Sequence, residues 1–133
     1  ITFFTFLFCM TSSVGWSLEY KDLVVRYGVH YKKFSDVPFT GTIDGQYQGS
    51  FKNGKIDGSW IRYYDNGKLN VKEGYKNGKQ EGSFIGYADN GQLLGKGNFK
   101  NGKEDGSWVR YNKDGTVMKK YTGTYKDGIR VSD

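Results

Sequence analysis

A ten-residue stretch occurs three times in this chain at a constant spacing. Each copy begins with an aromatic residue followed by Lys-Asn-Gly-Lys, and each ends with Gly-Ser and a second aromatic residue. The copies occupy 51–60, 75–84 and 99–108, a period of 24 residues, and a fourth copy begins 26 residues later at Tyr125. Repeats of this length are typical of arrays in which each unit packs on its neighbours. We therefore expect a stack of equivalent units.

Glycine and aromatic residues decide the fold class. The chain has 20 Gly and a single Pro, and 17% of its residues are aromatic. Many glycines indicate tight turns, and the aromatic content argues against a disordered chain. Because only 36% of residues are hydrophobic, burial has to depend on the rings. This composition predicts an all-β protein.

Each unit has the pattern of a β-hairpin. In the first unit, residues 58–64 carry β-branched and aromatic side chains that favour a strand. The Asp-Asn-Gly turn at 65–67 tolerates positive φ, residues 69–75 return, and an Asn-Gly turn at 77–78 leads into the next unit. Such turns leave no room for a crossover helix. The sequence therefore predicts an antiparallel meander of stacked β-hairpins.

The region before the repeats divides into two parts. Residues 1–14 form an apolar run followed by small and then charged residues, which indicates a signal peptide over 1–17 with a truncated basic start. We therefore expect a secreted, periplasmic or cell-surface protein; the alternatives are a hydrophobic N-terminal strand or a retained anchor. Residues 18–48 depart from the repeat and are expected to form a β cap with a first partial unit. Residues 49–133 then hold three full units and a partial fourth.

Alternation along the strands separates two faces. One face carries Ile61 and Tyr63 with their counterparts Ile85, Tyr87, Val109 and Tyr111, and we interpret this nearly invariant set as the packed face. The other face keeps one leading aromatic residue in each unit and varies below it. We expect this second face to be half open and to bind a partner. Its candidate interaction residues are Trp60, Arg62, Tyr64, Phe84, Trp108 and Arg110.

Lysines flank the Asn-Gly turns. Turns of one type fall at one end of a meander, so these lysines should form a single basic rim, with Asp65, Asp89 and Asp114 at the opposite end. The rim either keeps the surface soluble or meets an acidic protein or an anionic lipid headgroup. The basic rim consists of Lys52, Lys55, Lys76, Lys79, Lys100, Lys103 and Lys126.

No residue pattern indicates catalysis, a cofactor or a metal. His30 is the only histidine and Cys9 the only cysteine, which excludes an intrachain disulfide and a thiolate metal site. The acids Asp57, Glu81 and Asp105 recur at one position of each unit, and we interpret them as turn residues rather than as a carboxylate pair. We expect a chain without enzymatic activity and without a small-molecule substrate. Nucleic acid is also a poor fit, because the cations are spaced by the repeat and no Arg-rich helix is indicated.

The repeated residues resemble a known family. The pattern Phe/Tyr-Lys-Asn-Gly-Lys-x-Asp/Glu-Gly-Ser-Trp/Phe, followed by Tyr-x-Asp-Asn-Gly-x-Leu, is similar to the bacterial variant of the MORN repeat found in YwqK-family antitoxins. The resemblance extends over about residues 39–130. It implies a sheet of stacked hairpins, no enzymatic activity, and association with proteins or membrane lipids.

Three functions follow as expectations. The first is interaction with another protein through the aromatic face. The second is peripheral binding to anionic phospholipid through the basic rim. The third, implied by the family resemblance, is antitoxin-like neutralisation of a partner toxin.

Overall fold

The structure, a computed structural model, describes residues 17–133. The expected signal peptide therefore lies, except for Ser17, outside the described residues. The strands are β1 (Leu23–Arg26), β2 (Val29–Lys32), β3 (Gly41–Ile43), β4 (Tyr47–Lys52), β5 (Lys55–Tyr63), β6 (Leu69–Lys76), β7 (Lys79–Tyr87), β8 (Leu93–Lys100), β9 (Lys103–Arg110), β10 (Gly123–Lys126) and β11 (Ile129–Ser132). Short 3-10 turns occur at Tyr20–Asp22 and Lys119–Tyr121. Between residues 17 and 133, no helix is long and apolar enough to cross a membrane.

Strands β3 to β11 form one nine-stranded antiparallel sheet in which every strand pairs with its sequence neighbours. The prediction of an all-β antiparallel meander is confirmed. Each hairpin places the next strand beside the previous one, so the whole sheet forms from pairings between strands that are neighbours in the sequence.

Tight turns with positive φ close the hairpins at one end of the strands. Each has a non-glycine residue with φ between 50° and 52° followed by a glycine with φ between 77° and 80°. Both central residues of a type I′ turn require positive φ, which Asn, Asp and Gly adopt at low cost. These turns are Asn53-Gly54, Asn77-Gly78, Asn101-Gly102 and Asp127-Gly128.

Recurrent acids connect successive units. The backbone N–H of Asn77 donates to Asp57 Oδ2 at 3.2 Å, and the N–H of Asn101 donates to Glu81 Oε2 at 2.8 Å. Each acid therefore accepts a hydrogen bond from the turn of the following unit. The turn role predicted for this position is confirmed at Asp57 and Glu81.

The cap is a separate hairpin of β1 and β2 that packs on the first units. The backbone N–H of His30 donates to the Gly54 carbonyl at 2.8 Å, and the N–H of Phe39 donates to the His30 carbonyl at 2.9 Å. Leu23 from the cap enters one hydrophobic cluster with the buried side chains of Phe51 and Trp60. The cap therefore covers the face of the sheet rather than extending its edge.

The sheet buries its large indole rings on the face that was expected to be half open. The buried side chains of Trp60, Val71 and Trp108 lie on the aromatic face, and Ile61 and Ile85 on the opposite face are only half-buried. The assignment of Ile61, Tyr63, Ile85, Tyr87, Val109 and Tyr111 as the packed face was therefore wrong.

The residues on β6 and β8, which lie between β5, β7 and β9, explain why the opposite face is not the packed one. On the opposite face the cross-strand row runs Ile61, Lys72, Ile85, Lys96, Val109. The two intervening lysines are exposed, so they keep that face in contact with water. This row could not be read from one unit alone, because it forms only when strands pair.

Candidate binding groove

A groove of about 540 Å³ lies on the aromatic face and crosses five adjacent strands, β5 to β9. Trp60 stands at one end and Trp108 at the other, with Phe84 of the middle unit between them. The meander makes this possible because equivalent positions of three units fall in one row across the sheet.

The groove opens where the middle unit carries smaller side chains than its neighbours. Phe84, Gly86 and Ala88 occupy the positions that hold Trp60, Arg62 and Tyr64 in the preceding unit. The following unit restores Trp108 and Arg110. Phe84 and Gly86 line the groove in place of an indole and a guanidinium, and these smaller side chains leave the hollow.

Aromatic rings line both ends. Phe84, Phe99 and Trp108 form one cluster with ring centroids 5.0 to 5.8 Å apart. At the other end Trp60 contacts Phe51 at 5.8 Å and Tyr20 of the cap at 5.9 Å. Edge-to-face and tilted arrangements of this kind add to the stabilisation from buried area alone.

Two guanidinium groups line the groove, and both already contact other residues. Arg62 Nε donates to Asn70 Oδ1 at 2.6 Å. Arg110 forms an ion pair with Glu104 and lies 4.9 Å from the ring centroid of Trp108. Such cation–π contact is stronger when the pair is partly desolvated, as it is here.

A polar cluster lies in the middle of the groove. Tyr75 Oη donates to Glu73 Oε1 at 3.2 Å, and Gln80 Nε2 donates to Glu73 Oε2 at 2.7 Å. Burial, and secondarily the negative charge and hydrogen bond of Glu73, raise the pKa of Tyr75 to about 12. The phenol therefore stays protonated at neutral pH and remains a donor.

Sequence reasoning did not identify Glu73, Tyr75 or Gln80 as groove residues. A signal was present, because the neighbouring units carry glycine where Glu73 stands, phenylalanine where Tyr75 stands, and Ile56 or Glu104 where Gln80 stands. The groove residues are therefore marked by the positions at which the copies differ, and not by the residues that they share.

Five of the six candidate interaction residues line the groove: Trp60, Arg62, Phe84, Trp108 and Arg110. Two of these side chains are largely buried, with exposed fractions of 7% for Trp60 and 3% for Trp108. The expectation that both indoles are exposed anchors was therefore wrong, and they form the walls of the groove instead. Tyr64 lies outside it, and its hydroxyl donates to the Tyr87 carbonyl of the next unit at 2.8 Å.

The basic rim lies at the Asn-Gly end of the strands. Lysines face each other across three of the four turns, at Lys52–Lys55, Lys76–Lys79 and Lys100–Lys103. All seven rim lysines are exposed, and within residues 17–133 none forms an ion pair. Opposed like charges destabilise a sheet slightly, so this rim concentrates positive potential rather than strengthening the fold.

The other end of the strands carries acids, as predicted from the turn pattern. The hydrogen bond and charge of Lys113, whose Nζ lies 2.8 Å from Asp89 Oδ1, lower the pKa of Asp89. Hydrogen bonds from the hydroxyl and backbone N–H of Thr116 lower the pKa of Asp114. These exposed pairs fix local turn geometry and contribute little to overall stability.

His30 has a structural environment. Its Nδ1 lies 3.0 Å from the Gly54 carbonyl, its Nε2 lies 3.3 Å from Tyr20 Oη, and its ring packs on Phe51 with centroids 4.8 Å apart. These contacts hold the cap on the first unit. In the part of the chain that the structure describes, no group of three or more His, Cys, Asp or Glu side chains is placed to hold a metal ion.

The fold and the groove define a class: a repeat protein of stacked β-hairpins with a groove that crosses several units. The family described as MORN repeat variant matches residues 56–77 and 80–101. These two segments start 24 residues apart, which is the period of the repeat, and the match supports a MORN-repeat protein. MORN repeats are generally associated with binding to proteins or to membrane lipids, and the family is not an enzymatic one. The comparisons with curated proteins and with solved structures gave no match.

Proposed function

We propose that this chain is a non-enzymatic module that binds another protein in the groove. The observation that supports the proposal is that the middle unit carries smaller side chains than its neighbours. Smaller side chains at the centre of the row give up packing contacts, so stacking of the units alone does not account for them. Aromatic and arginine side chains line this hollow, and these residue types carry most of the energy of protein interfaces.

We place this module in the cell envelope or outside the cell. This part of the proposal depends on the apolar run at residues 1–14, which lies outside the described residues. The family resemblance suggests a more specific version of this function, in which the bound protein is a toxin and binding neutralises it.

A filled-groove variant tests the proposal. Gly86 lines the groove in the middle unit, whereas the neighbouring units carry Arg62 and Arg110 at the equivalent position. The variant Gly86→Arg therefore places in the hollow a side chain that this fold already carries at that position in both neighbouring units. Lys72→Gln, at an exposed lysine on the opposite face, is the matched control.

The three proteins are immobilised and exposed to an envelope extract of the source organism at low and at high salt. A stoichiometric protein retained by the original chain and by Lys72→Gln, and lost by the filled-groove variant, supports groove binding. Equal retention by the filled-groove variant contradicts it.

A second candidate function is peripheral binding to anionic lipid through the basic rim. The observation that favours it is the row of seven exposed lysines at one end of the strands, none in an ion pair within residues 17–133. Near an anionic surface each lysine contributes about 1 kcal/mol.

Vesicle sedimentation separates the two candidates. Changing Lys76, Lys79 and Lys100 to Gln removes three rim charges and should weaken binding to phosphatidylserine vesicles roughly a hundredfold. Changing Lys72 and Lys96 to Gln on the opposite face is the control and should have a smaller effect. Binding that persists at high salt, or that the rim variant retains, contradicts lipid attachment through the rim.

A further inference from the structure

Glu73 stands where the neighbouring units need glycine. Gly49 lies under Trp60, and a Cβ there would be 2.4 Å from Trp60 Cε3. The same holds for Gly97, where a Cβ would be 2.1 Å from Trp108 Cδ2. In the middle unit the facing residue is Phe84, whose smaller ring leaves space for a side chain at position 73. The side chain of Glu73 therefore depends on the smaller ring of Phe84, and the middle unit differs from its neighbours at both positions together.

The Glu73 carboxylate is held in a defined orientation. Each of its oxygens accepts one hydrogen bond, from the Tyr75 hydroxyl at 3.2 Å and from Gln80 Nε2 at 2.7 Å. A carboxylate has about four acceptor positions, so two directions stay available to a ligand. Among residues 17–133, no Lys or Arg forms an ion pair with Glu73.

The surroundings of this carboxylate favour a cationic ligand. Trp60 and Phe84 line the groove on either side of Glu73, which faces both residues across the strands. Aromatic faces attract ammonium and guanidinium groups, and a carboxylate binds guanidinium through paired hydrogen bonds. The positive charge of Arg110 is already compensated by Glu104.

Arg62 defines the other half of the site. Its Nε is bonded to Asn70, and its guanidinium is exposed at the groove. The remaining N–H groups are donors that suit a carbonyl or carboxylate oxygen. A peptide supplies both features together, a basic side chain for Glu73 and a main-chain oxygen for Arg62.

We propose that the groove receives an arginine or lysine side chain of the partner protein, with the cationic head on Glu73 and the alkyl stem along the rings of Trp60 and Phe84. This inference rests on the proposed protein-binding function and specifies the partner chemistry of the same groove. No bond is made or broken, and recognition depends on charge and shape alone.

The test uses blocked single residues as probes on the full chain. N-acetyl-arginine amide and its uncharged isostere N-acetyl-citrulline amide are titrated while backbone amide resonances are followed by NMR. We expect the arginine probe to shift resonances of β5, β6 and β7, and to bind about tenfold more tightly than citrulline because only the arginine is charged. N-acetyl-glutamate amide serves as the acidic probe and should bind most weakly.

Two variants separate charge from structure. Glu73→Gln keeps an oxygen for the Tyr75 hydroxyl but removes the charge, so the preference for arginine over citrulline should disappear. The filled-groove variant should remain folded and bind neither probe. Equal affinity for arginine and citrulline, no binding of the arginine probe, or an unchanged preference in Glu73→Gln overturns the inference.

These results are distinct from a failure of the proposed function. If a captured protein still depends on the open groove while the probes show no preference for charge, the module binds proteins and the partner's contact is not basic. If the filled-groove variant captures the same protein as the original chain, the groove is not the docking surface and both proposals fail.

Discussion

Gly97 lies directly against the indole of Trp108, so closely that a Cβ at position 97 would be 2.1 Å from Trp108 Cδ2. The ring of a residue on β9 thus occupies the space of a side chain missing from β8. The indole N–H completes the contact by donating to the Asn98 carbonyl at 2.9 Å. This relationship between a glycine and a tryptophan on paired strands explains how an array poor in aliphatic residues buries large rings.

The first prediction concerns this contact. Gly97→Ala forces the indole of Trp108 out of its position, and we expect the free energy of unfolding to fall by about 1–3 kcal/mol, as in other overpacked cores. Urea denaturation measures the change. The double variant Gly97→Ala with Trp108→Phe should recover part of the loss, because Phe84 shows that a smaller ring tolerates a side chain on the facing strand. A loss that is additive in the double variant would show that the ring is not the cause.

The second prediction concerns the two tryptophans that form the walls of the groove. Because Trp60 is 7% exposed and Trp108 is 3% exposed, their side chains belong to the core. Trp60→Ala and Trp108→Ala should each lower the free energy of unfolding by about 3–5 kcal/mol. Thermal unfolding followed by circular dichroism measures this, with Tyr27→Ala at a fully exposed ring as the control. A fold unaffected by either tryptophan change would mean that the indoles are dispensable to packing.

The third prediction concerns the acids that connect the units. Glu81→Ala removes the acceptor for the Asn101 N–H, bonded at 2.8 Å, and should destabilise the chain by about 1 kcal/mol. Glu81→Gln keeps an oxygen at that point and should cost less. Asp105→Asn should leave partner binding intact, because the equivalent acids Asp57 and Glu81 bond to turns and Asp105 does not line the groove. Complete loss of binding by a folded Asp105→Asn variant would contradict the structural role.

The fourth prediction concerns alkaline pH. A tyrosine in an unfolded chain titrates near pH ~10, whereas burial and Glu73 raise the pKa of Tyr75 to about 12. The folded state therefore holds this proton more tightly. Its contribution to stability is complete below about pH 10 and is lost as the pH rises towards about 12.

Tyr75→Phe has no proton to lose at this site. Stability should therefore fall less steeply between about pH 10 and about pH 12 in Tyr75→Phe than in the original chain. Urea unfolding at several pH values measures the slope, and Tyr27→Phe at a fully exposed ring is the control. Parallel pH profiles for Tyr75→Phe and the original chain would show that this phenol is not the group responsible.

Local sequence was enough to predict the hairpins. The Asn-Gly and Asp-Gly turns require positive φ that few other residues accept, and the structure shows that conformation at Asn53, Asn77, Asn101 and Asp127. The expected β cap contains a hairpin of the same kind, in which β1 and β2 flank a turn with positive φ at Tyr27 and Gly28. Turn chemistry acts within a few residues, and so it can be read without knowledge of the fold.

The packed face could not be predicted from one strand. Ile61 and Trp60 both have side chains suited to burial, and alternation places them on opposite faces without ranking the two. The choice depends on the residues that pairing brings alongside: Lys72 next to Ile61 on one face, and Gly49 next to Trp60 on the other. The cap then adds Tyr20 and Leu23 over Trp60, so this indole is buried only in the assembled structure.

By itself, the sequence determined the repeat, its hairpins, and the meander that places the lysine-flanked turns at one end of the strands. All of these follow from local backbone preferences repeated every 24 residues. Only the tertiary structure decided which face is buried and where the groove opens. Those features depend on contacts between side chains of neighbouring units. The smaller ring of Phe84 opens the groove only because Glu73, Trp60 and Trp108 lie beside it.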